Sequence, residues 1–318
     1  MYNIIPRKGD FTMKVSFKKI CSSYLDYVVL KQKPQSIRSI KSRISAYILP
    51  YFENYKIDDI TPLVYLEWQK KIENYGFSYK YKKALHYTMV SLFNFSITFF
   101  DCPKSNVPSK VGNFKNNDIP KDMKIWDIEE YEKFIREVKE PVYSALFEFM
   151  YFTGCRLGEA LALTFNDLND NCIYINKTIS KEYINGKRAI TTPKTKKSIR
   201  KILISNKTKD NIRRLREYYT TKYDNVNNDF FIFGGDSALS PTTIERKKNH
   251  YCKLANVKQI RLHDFRHSHA SLLLSSGIPI VAIANRLGHA DIAMTLNTYS
   301  HALPKDEKRV VELLNSIC

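Results

Sequence analysis

Apolar residues recur every three to four positions through the first third of the chain, which is the period of helices that pack one face on a core. Ser36 is placed to cap the second of these helices, and Thr61 followed by Pro62 is a favourable start for the third. The predicted helices lie at residues 15–30, from residue 36 onward, at 63–72 and at 79–99. With little strand pattern between them, they predict a small helical bundle.

A segment of turn-forming residues separates this bundle from the rest of the chain. Pro103, Pro108, Gly112 and Pro120 interrupt a stretch rich in Lys, Asn and Ser, a composition typical of a linker. The predicted organisation is a short N-terminal tail at 1–14, a helical domain at 15–104, a linker at 105–120 and a second domain at 121–318.

The second domain mixes helical and strand patterns. Asp127 predicts the cap of a helix that runs to Val138, with acidic residues in its first turn. The remaining predictions are a buried helix at 142–152, alternating strands at 172–179 and 198–204, a hairpin turn at 185–186, and helices at 207–219 and from 241 to the end. The predicted fold class is therefore mostly α with a small antiparallel β-sheet.

The charge of the chain points to a polyanionic partner. Its formal net charge is +19, from 51 Lys and Arg against 32 Asp and Glu. Residues 1–117 carry 19 basic and 8 acidic side chains, so the charge density is highest there. The most apolar run, 143–152, is interrupted by Glu148 and falls short of the roughly 20 residues that span a bilayer. Nucleic acid is therefore favoured over a membrane, with a generally basic protein as the alternative.

Basic residues of two predicted helices are the candidate DNA contacts. Three lie off the apolar stripe of the second helix, and three begin the fourth. These residues are Arg38, Lys41, Arg43, Lys80, Lys82 and Lys83. The alternative is an ordinary solvated surface.

The cysteines and the N-terminus indicate a cytoplasmic protein. The six cysteines form no C-x-x-C pair and show no zinc-ligand spacing, which is typical of scattered reduced thiols. Residues 1–10 lack the apolar core of a signal peptide. Carboxylates do not group near the histidines, where Asp264 stands alone, so neither a metal nor a cofactor is predicted.

Residues with phosphate and proton-transfer chemistry lie close together near the end of the chain. They are His263, Arg266, His289 and Tyr299. At a helix start, His263 and Arg266 would share a face, because they are three residues apart. Arginine can make a two-pronged phosphate contact, and histidine exchanges a proton near neutral pH. Each residue alone has an ordinary structural explanation, and we expect His267 or His269 to be structural.

A further arginine lies far upstream. Arg156 follows a turn that contains Gly154 at a predicted helix start, where a guanidinium and helix-end N–H groups can meet a phosphate. Glu159, three residues on, could hold this arginine in place. The alternative is a surface Arg–Glu pair at helical spacing.

Together these residues resemble the active site of the tyrosine recombinases, specifically the phage and conjugative-element integrases. Their order and spacing match that family's pattern, strongly from about residue 120 and more loosely before it. The residues that carry the resemblance are Thr153-Gly154-Cys155-Arg156-Leu157-Gly158-Glu159, Lys194, His263-Asp264-Phe265-Arg266, Leu287-Gly288-His289 and Tyr299.

The resemblance implies metal-free and ATP-independent strand exchange. Tyr299 would attack the scissile phosphate to form a covalent 3′-phosphotyrosine. Arg156 and Arg266 would bind the non-bridging oxygens, and His289 would donate a hydrogen bond to the phosphate. His263 would act as acid and base toward the tyrosine. Glu159 would be a supporting residue.

Lys194 would protonate the leaving 5′ oxygen, according to the same resemblance. Its Pro-Lys-Thr context favours it, but Lys196 and Lys197 lie on the same predicted hairpin, and the sequence leaves the choice open.

The resemblance also implies how the protein works on DNA. The helical core-binding domain and the catalytic domain would form a C-shaped clamp on double-stranded attachment sites. Four protomers would assemble there, each donating a final helix to a neighbour, with an excisionase or a host DNA-bending protein as accessory partner. The apolar stripe of that helix comprises Val310, Val311, Leu313 and Leu314. Larger relatives carry an arm-binding domain, and we expect either arm-independent action or a shortened chain.

Two other functions share parts of this pattern. A sequence-specific DNA-binding protein with an inactive site would need only the basic helical domain. A type IB topoisomerase-like relaxer would use the same chemistry without joining two sites.

Overall fold

The chain divides into two compact units after Lys121. The structure is a computed structural model, and it describes residues 15–118, 123–184, 187–193, 195–289, 291–299, 311 and 315–316. Among these residues, no helix is long and apolar enough to cross a membrane. The predicted fold class is confirmed, because helices dominate and the strands form small antiparallel sheets.

The first unit is built of helices and has no β-strand where the structure describes it. Its helices are α1 (Phe17–Lys31), α2 (Pro34–Arg43), α3 (Leu49–Phe52), α4 (Pro62–Glu73), α5 (Tyr79–Phe100) and α6 (Val107–Val111). A π-helical segment, Ile44–Ile48, joins α2 to α3, and a 3₁₀ turn, Ile57–Asp59, precedes α4. The four predicted helices correspond to α1, α2, α4 and α5.

Local capping explains most of the helix starts in this unit. The Thr61 side chain accepts a hydrogen bond from the backbone N–H of Val64 at the start of α4, as predicted. The prediction that Ser36 caps the second helix is wrong. That helix already begins at Pro34, whose fixed φ suits a first helical turn, and Ser36 lies inside it.

An aromatic core holds the first unit together. Trp68 and Phe52 are fully buried with their ring centroids 5.7 Å apart, and the indole N–H of Trp68 donates to the Tyr47 carbonyl at 2.9 Å. The segment predicted as a linker contributes to this core. Its residues Val107, in α6, and Phe114 are buried there.

The second unit is mostly helical, with its strands grouped between the third and fourth of its helices. Its helices are α7 (Ile128–Glu137), α8 (Pro141–Thr153), α9 (Leu157–Ala162), α10 (Asn206–Thr220), α11 (Pro241–Leu254), α12 (Asp264–Ser275), α13 (Ile280–Leu287) and α14 (Ile292–Tyr299). Its strands are β1 (Leu168–Asn169), β2 (Cys172–Ile175), β3 (Thr178–Ile184), β4 (Lys187–Thr191) and β5 (Arg200–Leu203). The predicted Asp127 cap is confirmed, since it forms a capping box with Glu130.

The strands form two antiparallel sheets where one was predicted. β2 pairs with β1 and β5, and β3 pairs with β4 as a separate hairpin. The alternating run 172–179 is therefore two strands, which separate at residues 176–177. The predicted turn at 185–186 lies outside the described residues.

Helix α8 is the centre of the second unit. Phe147 stacks on Phe265 of α12 with ring centroids 5.6 Å apart, and Phe134 of α7 meets both rings edge-on. The backbone N–H of Trp126 donates to the Ser268 hydroxyl at 2.9 Å, which ties the entry of α7 to α12. This packing fixes the start of α12 against the middle of α8.

A tight turn follows α8. Gly154 has a φ of +66°, in the left-handed region that favours glycine, and its N–H donates to the Met150 carbonyl. A Cβ at this position would lie 2.6 Å from Cδ2 of His269 and 2.7 Å from Cδ2 of Leu287. The absence of a side chain thus lets the chain turn against α12 and α13.

We expect Gly154→Ala to destabilise the second unit more than Gly277→Ala. Gly277 has a similar φ of +77°, but a Cβ there meets nothing within 4 Å. Backbone strain alone should cost about 1–2 kcal/mol at Gly277. Overpacking should add about 1–3 kcal/mol at Gly154. The free energy of unfolding is measured in urea, with tryptophan fluorescence as the signal.

The two tryptophans separate the units in this measurement. Trp68 lies in the first unit and Trp126 in the second, so a Trp68→Phe background reports the second unit alone. Equal destabilisation by the two substitutions would show that His269 and Leu287 yield without cost.

Candidate active site

Four elements of the second unit bring the predicted catalytic residues together. Arg156 caps the start of α9, Arg266 lies in the first turn of α12, His289 follows α13, and Tyr299 ends α14. The charges of Arg156 and Arg266 both lower the pKa of His289, so these three groups are close enough to interact.

Arg156 and Glu159 form the predicted pair. Nη1 of Arg156 donates to Oε1 of Glu159 at 2.7 Å, and the Arg156 backbone N–H donates to Oε2 at 3.1 Å. The Arg156 side chain is 37% exposed, whereas that of Glu159 is 3% exposed. The carboxylate therefore anchors an arginine that a ligand can still reach.

Arg200 of β5 completes this pair, although sequence reasoning did not single it out. Its Nη2 donates to Oε2 of Glu159 at 2.9 Å, and its Nε donates to the Arg286 carbonyl at 2.7 Å. Burial would raise the pKa of Glu159, but the charges and hydrogen bonds of Arg200 and Arg156 hold it below its usual value. The sequence signal that could have identified Arg200 is its place in an alternating strand. Arg200 shares the buried face of β5 with Ile202, at a position where an apolar residue would be expected.

Arg266 is buried in the heart of the site. It is 2% exposed, and it donates from Nη1 to the Gly154 carbonyl at 2.9 Å and from Nη2 to the Leu287 carbonyl at 2.7 Å. Burial, followed by the nearby charge of Arg156, lowers the pKa of Arg266. An anion bound between the two guanidinium groups would relieve this repulsion.

His289 is held just beyond the end of α13. Gly288 ends the helix with a φ of +70°, as the predicted turn requires, and Nδ1 of His289 lies 2.6 Å from Oγ1 of Thr295. Burial and the charges of Arg266 and Arg156 lower the pKa of His289 to about 4. The imidazole is therefore neutral at physiological pH.

The histidines of α12 have different surroundings. His269 is the structural one, since its Nδ1 donates to the Tyr151 carbonyl at 2.9 Å and its Nε2 accepts from Nε of Arg286 at 3.1 Å. His263 occupies the N-cap position without a capping hydrogen bond from its side chain, and its pKa is lowered by desolvation and then by the charges of Arg266 and Arg156.

The Tyr299 side chain packs against helices α12 and α13. It is 1% exposed and packs with an apolar cluster of Ala270, Leu274, Ile283 and Leu287. Its hydroxyl lies 2.6 Å from Nδ1 of His267, the residue that follows Arg266. The sequence resemblance assigned the contact with the tyrosine to His263, and it did not assign a catalytic role to His267. The sequence signal for His267 was its position one helical turn after His263, which places both side chains on the same face of a helix.

Lys194 lies outside the described residues, and nothing is described of the Lys196 side chain. Lys197 is exposed. A Cβ on Gly288 would lie 3.2 Å from the Lys197 carbonyl oxygen, so the segment between β4 and β5 passes beside the turn that carries His289. Within the described ranges, no group of three or more His, Cys, Asp and Glu residues could hold a metal ion.

The predicted DNA contacts of the first unit fall into two groups. The exposed ones are Arg38, Lys41, Lys80 and Lys83. Arg43 is half-buried, and its Nε donates to Oγ1 of Thr88 at 2.9 Å. Lys82 is 6% exposed and pairs with Glu73 at 2.6 Å. We therefore do not retain Lys82 as a DNA contact.

Comparison with known proteins identifies the family of the chain. The model of the phage integrase family matches residues 125–306, and that of the phage integrase N-terminal SAM-like domain matches residues 16–72. The ICEBs1 integrase of Bacillus subtilis strain 168 is 29% identical over 310 residues, which cover 95% of this chain and 83% of the relative.

Solved structures share the fold. The Tn1549 transposon integrase in complex with a circular intermediate DNA has a TM-score of 0.77 at 18% identity, covering 94% of this chain and 99% of that one. A lambda integrase tetramer bound to a Holliday junction has a TM-score of 0.64 at 15% identity, covering 87% and 78%. The chain belongs to the phage integrase family, the tyrosine recombinases that cleave and rejoin DNA.

Proposed function

We propose that this protein integrates and excises a mobile element, such as a prophage or a conjugative transposon, through a covalent 3′-phosphotyrosine intermediate on Tyr299. The carrying observation is the convergence of Arg156, Arg266 and His289 on one site, with a tyrosine docked on the same helical framework. This arrangement supplies fixed positive charge where a reacting phosphate develops negative charge.

The cleavage step follows from these groups. The Tyr299 oxygen attacks phosphorus, the Tyr–O–P bond forms, and the bond from phosphorus to the 5′ oxygen breaks. Arg156 and Arg266 bind the non-bridging oxygens. Lys194 gives its proton to the leaving oxygen. One phosphodiester replaces another, so the bond energy is kept and the reaction needs no ATP.

His289 complements the arginines at the phosphate. When the Thr295 hydroxyl donates to its Nδ1, the proton of the neutral imidazole lies on Nε2. That N–H can donate to a non-bridging oxygen without adding a third full charge. A neutral donor fits this position because two cations already lower the pKa of His289.

Glu159 supports the site through Arg156. Its carboxylate holds one arginine from each side, which limits the motion of the Arg156 guanidinium. A pre-positioned cation loses less entropy when it binds a phosphate. This role is indirect, since the carboxylate itself faces away from solvent.

Assembly on DNA completes the proposal. Four protomers bind two double-stranded attachment sites, and an excisionase or a host DNA-bending protein selects the direction. Lambda integrase has been solved as a tetramer on a Holliday junction, which supports this stoichiometry. In the final helix, Val311 is 51% exposed, and the other three stripe residues lie outside the described residues. The protein acts in the cytoplasm.

Tyr299→Phe should abolish covalent adduct formation while preserving the packing of the ring. The substrate is a duplex that spans the junction of the element and its flanking DNA, nicked just beyond the scissile phosphate so that the short leaving strand diffuses away. The adduct is measured by its reduced mobility on a denaturing gel.

Wild-type protein treated with a metal chelator is the matched control and should form as much adduct as untreated protein. An adduct with Tyr299→Phe would exclude Tyr299 as the nucleophile. Relaxation of plasmids regardless of sequence, without joining of two sites, would favour a topoisomerase-like activity instead.

The general acid can be identified with a substrate that carries sulfur in place of the leaving 5′ oxygen. A thiol has a pKa of about 8.5, so it departs without a proton donor. Lys194→Ala should cleave the ordinary substrate slowly and the sulfur substrate at the wild-type rate. Lys196→Ala and Lys197→Ala are the controls, and rescue of either one in place of Lys194→Ala would move the assignment to that lysine.

Salt dependence tests the DNA contacts of the first unit. The affinity falls as salt rises, and alanine variants of the exposed residues should make this fall less steep. Each variant should reduce the magnitude of the slope of log affinity against log salt by about one: Arg38, Lys41, Lys80 and Lys83. Lys82→Met is the contrast, since its ammonium already pairs with Glu73. It should leave the slope unchanged, and unchanged slopes for all five variants would place the DNA on another surface.

A further inference from the structure

The hydroxyl of Tyr299 contacts His267, a residue that the proposed cleavage step does not use. The Tyr299 hydroxyl and Nδ1 of His267 are 2.6 Å apart, within the range of a hydrogen bond between a nucleophile and its base. The two rings are tilted by 58°, with centroids 5.7 Å apart, so the contact is made through the polar atoms.

The direction of this hydrogen bond follows from the charge state of His267. Desolvation, then His263, lowers the pKa of His267 to about 4, so the imidazole is neutral at physiological pH. The phenol has one proton to donate, and the unprotonated Nδ1 accepts it. The remaining imidazole proton then lies on Nε2.

The tyrosine needs such a partner because it ionises poorly by itself. Burial raises the pKa of Tyr299 to about 12, which leaves only about one molecule in 100,000 ionised at neutral pH. A neutral phenol is a weak nucleophile toward phosphorus. A group that removes its proton during the attack would lower the barrier.

We propose that His267 is a catalytic residue, the general base that takes the proton of Tyr299 during cleavage and returns it during rejoining. This assignment rests on the proposed recombinase function. The Tyr O–H bond breaks and an Nδ1–H bond forms as the tyrosine oxygen bonds to phosphorus. The leaving 5′ oxygen takes its own proton from Lys194, so the two proton transfers are separate and balanced.

The protein groups around His267 together disfavour its imidazolium form. At the start of its own helix and just before it, Asp264 favours the charged form, while His263, Arg261 and Arg266 oppose it. From the neighbouring turn, His289 interacts with it, and from α14 the Tyr299 hydroxyl contacts it. A bound phosphodiester adds negative charge beside Arg266, which shifts this balance toward the protonated ring.

His263 is the competing base, and its position differs. Its ring lies edge-on to His267, with centroids 5.0 Å apart and planes at 88°. It therefore flanks the ring that contacts the nucleophile.

The test compares His267→Asn with wild type on the nicked duplex. An Asn oxygen can occupy nearly the position of Nδ1, so it can accept the Tyr299 hydrogen bond but cannot hold a proton. Initial rates of adduct formation are measured from about pH 6 to about pH 9, with enzyme and DNA at saturating concentrations. His263→Asn tests the competing base, and His250→Asn is the matched control, since His250 is an exposed histidine of α11.

We expect His267→Asn to slow cleavage by about 100-fold at neutral pH. Its rate should then rise by about tenfold per pH unit, because the tyrosinate must form through solvent hydroxide. The wild-type rate should vary little over this range, and His250→Asn should match it. DNA affinity and melting temperature of His267→Asn should stay near wild type.

A second variant covers the loss of packing. His267→Ala leaves a gap beside the tyrosine, and added imidazole should restore its cleavage in proportion to the free-base concentration. Failure of imidazole to restore cleavage by a folded His267→Ala protein would overturn the assignment.

Two other results would also overturn it. One is cleavage by His267→Asn within a few-fold of wild type, or with a loss that is constant across pH. The other is the hydroxide-dependent profile appearing in His263→Asn instead. Absence of any adduct with wild-type protein is distinguishable from these outcomes, because it would reject the recombinase function itself and this assignment with it.

Discussion

A buried carboxylate between two arginines is the constraint on which the site depends. Glu159 would be costly to bury alone, and Arg156 and Arg200 offset that cost from opposite sides. Arg156 remains partly exposed, whereas Arg200 is enclosed and also binds the backbone of α13 through the Arg286 carbonyl. One carboxylate thereby links the turn after α8, the strand β5 and the end of α13. Removing Glu159 would leave the buried Arg200 without its carboxylate, and removing Arg200 would leave Glu159 paired only with the partly exposed Arg156.

Backbone carbonyls give Arg266 its place in the same framework. The Gly154 and Leu287 carbonyls belong to the C-terminal ends of α8 and α13, where helices carry partial negative charge. They hold the guanidinium while withdrawing part of it from solvent, which lowers its pKa. A phosphate would meet a cation that has already lost most of its water. The site is therefore organised for an anion before any DNA binds.

Much of the fold follows from local rules that can be read along the chain. The caps at Thr61 and Asp127 and the glycine that ends α13 depend on neighbours within four residues, and all three are present. Local reasoning failed where packing decides. Lys82 begins a helix and was expected on the surface, but it occupies the buried face and pairs with Glu73. The strand pattern at 172–179 also broke in two, because β3 finds its partner in β4.

The sequence alone indicated the class of chemistry, because its ordered arginines, histidines and tyrosine resemble the active site of the tyrosine recombinases. It also determined which helix ends carry them, through glycines and caps. Only the tertiary structure decided which groups touch. Arg200 reaches Glu159 from 41 residues away, and His267, not His263, reaches the hydroxyl of Tyr299. Such contacts depend on how helices and strands pack, and side chains one helical turn apart cannot be distinguished by spacing alone.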